Sequence, residues 1–70
     1  MKIFIQVVNL TNGVYQTGMI DEPVQKSFEI ANALGHFAVN INEVEWDNKS
    51  DLHLFGKIKG TSKVVSVISI

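Results

Sequence analysis

The side chains of this 70-residue chain whose types and spacing bear on chemistry are two histidines, one alternating row of acids and one segment rich in lysine. Glu43, Glu45 and Asp47 alternate, so a strand through them would line three carboxylates along one side, and Asp51 would complete a divalent-cation site. The competing expectation is a solvated row facing Lys57 and Lys59 across a hairpin. It is favoured, because a calcium loop of the EF-hand kind needs a central glycine and a closing glutamate. His36 and His53 lack the one-turn spacing of a zinc pair. His36 is expected to complement the negative end of a helix, and His53 to lie on the outer face of a strand beside Glu45. Phe55 with Lys57, Lys59 and Lys63 has the make-up of a surface that stacks and neutralises single-stranded nucleic acid. The acidic row next to it cancels that field, so weak nucleic-acid binding stands last among the expectations. His53, Phe55, Lys57, Lys59 and Lys63 are the candidate contacts to a partner or small ligand. No serine has a histidine and carboxylate spaced to activate it, and no glycine pattern cradles a phosphate. Neither an enzyme nor a cofactor is expected.

Composition narrows the class further. Hydrophobic residues make up 46% of the chain and charged residues 19%, which is too apolar for a disordered tail and too interrupted for a membrane span. The net charge of -1 provides no overall field for nucleic acid or an anionic membrane. The absence of cysteine removes disulfides, thiolate nucleophiles and thiolate zinc sites together. One small domain, residues 1–70, is expected, and one core of this size contributes only about 3–5 kcal/mol net, so a partner subunit would help. No secretory signal pattern is read at the start, which predicts a cytoplasmic protein. All basic residues are lysine, and with the abundant Asn and Ile this suits an AT-rich genome, as in low-GC bacteria and their phages.

These side chains must be positioned by a handful of elements. Asn12-Gly13, between apolar runs at 3–10 and 14–20, predicts a hairpin with a two-residue type I′ turn. That register sets Leu10 opposite Tyr15, Val8 opposite Thr17 and Ile5 opposite Ile20. Asp21-Glu22-Pro23 predicts a helix start, and Val24, Phe28, Ala31 and Leu34 predict a buried stripe on a helix over 22–34, widened by Ile30 and stopped at Gly35. Phe37, Val39 and Ile41 then alternate out of phase with Val44 and Trp46, which predicts a bulge or bend near Asn42-Glu43. A polar loop at 47–51, a strand at 52–59, a turn at Gly60-Thr61-Ser62 and a strand at 64–70 complete an α+β reading. Its order is ββαβββ, with one helix packed on one face of a mainly antiparallel sheet.

The opening Met1-Lys2-Ile3-Phe4-Ile5, followed by hairpin and helix, resembles the start of a ubiquitin-type β-grasp domain over about half the chain. The resemblance implies a β-grasp-like arrangement with the last strand beside the first. The end, Val67-Ile68-Ser69-Ile70, lacks the di-glycine of conjugated modifiers, so conjugation is not expected.

Both terminal strands carry apolar residues on both faces: Ile3, Ile5 and Val7 against Phe4, Val8 and Leu10, and Val65 and Val67 against Val64, Ile68 and Ile70. One helix covers one face of a sheet. The other face must meet something else, and Val65 and Val67 are the residues expected to carry self-association. The expected function is a non-enzymatic, oligomeric binding module that occludes a partner macromolecule, in the manner of phage accessory or inhibitor proteins. The alternative is a small-ligand or nucleotide binder with its pocket between subunits.

Overall fold

A computed structural model describes residues 1–50 and 52–70, with backbone alone at residues 48 and 49. Five strands, β1 (Lys2–Asn9), β2 (Tyr15–Asp21), β3 (Val44–Lys49), β4 (His53–Ile58) and β5 (Lys63–Ser69), form one sheet in the order β2-β1-β5-β4-β3. Every neighbouring pair is antiparallel. The helix α1 (Lys26–His36) connects β2 at one edge to β3 at the other, so it must cross the sheet. Eleven residues span about 16 Å, and four strand spacings come to about 19 Å, so one helix nearly bridges one face. The α+β fold and the ββαβββ order are as the sequence predicts. β5 lies beside β1, the adjacency that the β-grasp resemblance implies, but the two run antiparallel where a β-grasp sheet pairs them in parallel.

The first hairpin forms with a longer loop than expected. Asn9 N–H donates to the Val14 carbonyl, which closes a loop over Leu10, Thr11, Asn12 and Gly13. The Asn9 side chain accepts from Thr11 N–H and so begins the turn one step early, while the Asn12 side chain accepts from Val14 N–H. Gly13 takes the left-handed φ of 74° and Asn12 does not, so the type I′ geometry is not adopted. The register moves by two residues: Val8 pairs with Tyr15, Ile5 with Gly18 and Ile3 with Ile20. A two-residue shift preserves facing, so the inward and outward sets survive the error.

The helix begins a turn later than predicted because Asp21 belongs to β2, where it pairs with Lys2. Glu22 sits at φ +49° and precedes Pro23, whose ring excludes a helical conformation at the residue before it. The Glu29 carboxylate accepts from Val24 and Gln25 N–H at 2.7 and 2.8 Å and satisfies donors that no cap side chain covers. With Val24 outside the helix and Phe37 packed at its far end, the buried stripe becomes Ile30 and Leu34 flanked by Ala33 and Phe37. Phe28 lies on the opposite side, 68% exposed, and Val24 is 91% exposed. Of the predicted stripe, Leu34 and Ile30 are buried as expected, whereas Val24 and Phe28 are not. Gly35 is not the stop either. It lies within α1, and Ala38 takes the left-handed conformation, with Val39 N–H donating to Leu34 O and Ala38 N–H to Gly35 O.

That correction has a measurable consequence. A Cβ at Gly35 meets nothing within 4 Å, so Gly35→Ala should stabilise the protein by about 0.5–1 kcal/mol and raise the melting temperature by a few degrees. A left-handed glycine at that position would give a loss instead.

Residues 37–43 are not a strand. A 3-10 turn (Ile41–Glu43), capped by the Asn40 side chain on Asn42 N–H, absorbs the phase change that predicted a bulge near Asn42-Glu43. The register irregularity falls later, between Trp46 and Asn48, and β3 extends through Lys49 into the segment read as a loop. Asp51 lies outside the described residues. β5 is one residue offset from the expected strand, and Ile70 still exchanges backbone hydrogen bonds with Lys2.

The core lies between α1 and one sheet face. Ile3, Ile5 and Val7 of β1, Val65 and Val67 of β5, Ile58, Val44 and Val39 meet Ile30 and Leu34 there. Among the described residues, no helix is long and apolar enough to cross a membrane.

Candidate functional site: the open sheet face

Val65 and Val67, expected to carry self-association, are 0% and 1% exposed in the core beneath α1. The apolar surface left uncovered is the other one. Alternation along β5 puts Val64, Ser66 and Ile68 there, and the registers extend that face into cross-strand rows. One row runs Met19, Phe4, Ile68, His53. The next runs Thr17, Gln6, Ser66, Phe55, and the third runs Tyr15, Val8, Val64, Lys57, Glu45. Two mainly apolar rows therefore flank a middle row of uncharged polar groups. Met19 and Tyr15 are 54% and 64% exposed, whereas Phe4, Val8, Val64 and Phe55 are half-buried by their neighbours.

Three of the predicted site residues come together on this face. His53 and Phe55 meet edge to face with ring centroids 6.4 Å apart, and Lys57 follows on the same side of β4. The expected neighbour of His53 is replaced. Glu45 stands opposite Lys57, and His53 stands opposite Ile68 with its Nε2 hydrogen-bonded to Ser66 Oγ at 3.1 Å. The two-residue period of β4 was readable, but its pairing with β3 depends on the register irregularity that the sequence does not signal. Lys63 joins Lys57 in lining a hollow of about 310 Å³ with Leu10, Thr11, Thr61, Ser62 and Val64, at the end of the sheet. Lys59 follows the end of β4 and lines neither this hollow nor the apolar one beside α1.

Charges lie at the perimeter of the open face and in pairs of opposite sign. Lys2 Nζ is 3.9 Å from Asp21 Oδ1 at one end, and Glu45 faces Lys57 at the other. Phe4 and Val8 were visible as residues that share one face of an alternating strand. What the sequence did not display is that β1 and β5 lie side by side, which merges their outward residues into one surface.

A second hollow, of about 170 Å³, opens beside α1 and is lined by Ser27, Ile30, Ile41, Trp46 and Leu54. It is apolar and has no charged group to orient a ligand.

The acidic row does not form as drawn. Glu43 belongs to the 3-10 turn, and the irregularity between Trp46 and Asn48 breaks the alternation at Asp47. Among the described residues no three His, Asp or Glu side chains converge on a common point. Dialysis against EDTA should leave the melting temperature unchanged within a degree. A loss restored by calcium would reinstate Glu43, Glu45 and Asp47 as ligands.

Comparisons with protein-family models, with curated proteins and with solved structures find no match to this chain.

Proposed function

We propose that the chain is a non-enzymatic binding module, oligomeric and acting in the cytoplasm, whose open sheet face covers a surface of a macromolecule. One observation carries the reading. A face of Phe4, Val8, Tyr15, Met19, Phe55, Val64 and Ile68 stays uncovered by the single helix, and its charges are confined to the perimeter. Aromatic residues and methionine in a patch whose charges lie at the rim match the composition of protein interfaces. Exposed apolar side chains gathered on one face of a small chain mark an interaction site. Occlusion of a partner, as by a phage accessory or inhibitor protein, is the mode of action this surface suits.

The test is capture from the native host by the immobilised chain, run beside Ile68→Lys. The account expects a specific protein retained by the parent and lost from the variant. Equal capture by both would overturn the assignment of the face.

The hollow at Lys57 and Lys63 favours a second reading, a small anionic ligand held by two ammonium groups with the hydroxyls of Thr11 and Ser62. A nucleotide panel in thermal melts tests it. Stabilisation by one member, abolished by Lys57→Met, would support this reading, and a flat panel would remove it.

A further inference from the structure

We infer that the occupant of the open face is a second copy of this chain, packed sheet against sheet about a two-fold axis. This rests on the reading of the open face as the association surface and names what covers it.

Ser66 belongs to the middle row and to β5, the middle strand of five, with Gln6 beside it on β1. In an isologous contact the centre of a patch meets itself. A charge there would face its own copy, whereas a hydroxyl or amide both donates and accepts and is complementary to its own copy. Thr17, Gln6 and Ser66 are all of that kind. A two-fold in the plane between the sheets, along the strands or across them, brings Ser66 over Ser66. It also sets the apolar rows on either side against apolar rows. The perimeter pairs, Lys2 with Asp21 and Lys57 with Glu45, are of opposite sign and nearly neutral as pairs, so they do not oppose the approach.

The size fits as well. Five strands, each about 4.8 Å wide, and three rows, each about 6.8 Å deep, give a face of about 24 by 20 Å. Two copies would bury on the order of 1,000 Å², the lower bound for a specific interface. Packing two twisted sheets face to face at the usual angle of about 30° would give four layers, helix, sheet, sheet, helix, with a second core in the middle. That core supplements the thin one beneath α1.

Sedimentation equilibrium of the purified chain tests this, with Ser66→Asp and Ser66→Lys run separately and mixed. The parent is expected at twice 7.8 kDa. Each variant alone should dissociate at least about tenfold more readily, because like charges meet at the axis, and the equimolar mixture should recover dimer. Recovery on mixing is an outcome that a merely structural role for Ser66 does not produce. Gln6→Lys, which leaves the bond between Ser66 and His53 intact, should also weaken self-association while circular dichroism stays unchanged. A parent that remains at 7.8 kDa would overturn the second copy, as would a dimer indifferent to charge at both positions or a mixture no better than its components. A monomeric parent that still captures a host protein through Ile68 would retain the binding-module reading and remove only this inference.

Discussion

Leu34→Ala is expected to leave little folded protein at room temperature, while Phe28→Ala is expected to be close to silent. Leu34 is 0% exposed and belongs to the same core cluster as Ile3, Ile5 and Val67. Truncating a leucine in such a position costs about 2–5 kcal/mol through lost transfer free energy and the cavity left behind. A domain of this size has about 3–5 kcal/mol in total, so the loss is comparable to the whole. Phe28 is the larger side chain but projects from the opposite side of the helix, and exposed substitutions stay within about 0.5 kcal/mol. Parallel thermal melts read both variants. If Phe28→Ala proved the damaging one, the rotation of α1 would be wrong by half a turn.

Gly56→Ala is the second substitution expected to be severe, although it adds a single methyl group. A Cβ there would lie 2.7 Å from the Glu45 carbonyl oxygen, 2.8 Å from Val44 Cγ1 and 3.0 Å from Trp46 Cα. Two of those atoms are backbone, so no change of rotamer makes room, and β3 would have to move away from β4. Overpacking of this kind costs about 1–3 kcal/mol and more where backbone must shift, a large fraction of the available stability. Gly18→Ala is the control. Its Cβ would meet only the tip of the Phe37 ring, at 3.1 Å, which has freedom to move, so the loss should be smaller. Urea unfolding of the two variants measures the difference. Equal effects would mean that β3 is not held against β4 as described.

The pattern of what was legible in the sequence follows from period and phase. Strand alternation survives errors of register: the hairpin is displaced by two residues, yet Phe4 and Val8 still share one face and Ile3, Ile5 and Val7 the other. Helix facing has no such protection. With the start at Lys26 rather than Glu22, Val24 and Phe28 leave the stripe and only Ile30 and Leu34 of the expected set remain buried. The decision rested on Pro23 and on the claim of β2 to Asp21, a tertiary fact. The face chosen for association failed for a similar reason. Val65 and Val67 differ from Val64 and Ile68 by one step of alternation, and nothing local says which set the helix covers. His53, Phe55 and Lys57 lie on one side because they alternate along one strand. Their neighbours across the sheet required the strand order.

The central claim is that the two faces of the sheet have different tasks, one as core and one as association surface. Circular dichroism and sedimentation on Val67→Lys and Ile68→Lys test it most directly, because the two positions are adjacent in sequence and point to opposite faces. The account predicts an unfolded Val67→Lys and an Ile68→Lys that keeps the parent spectrum at half the parent mass. A folded Val67→Lys, or an Ile68→Lys that unfolds or keeps the parent mass, would contradict it.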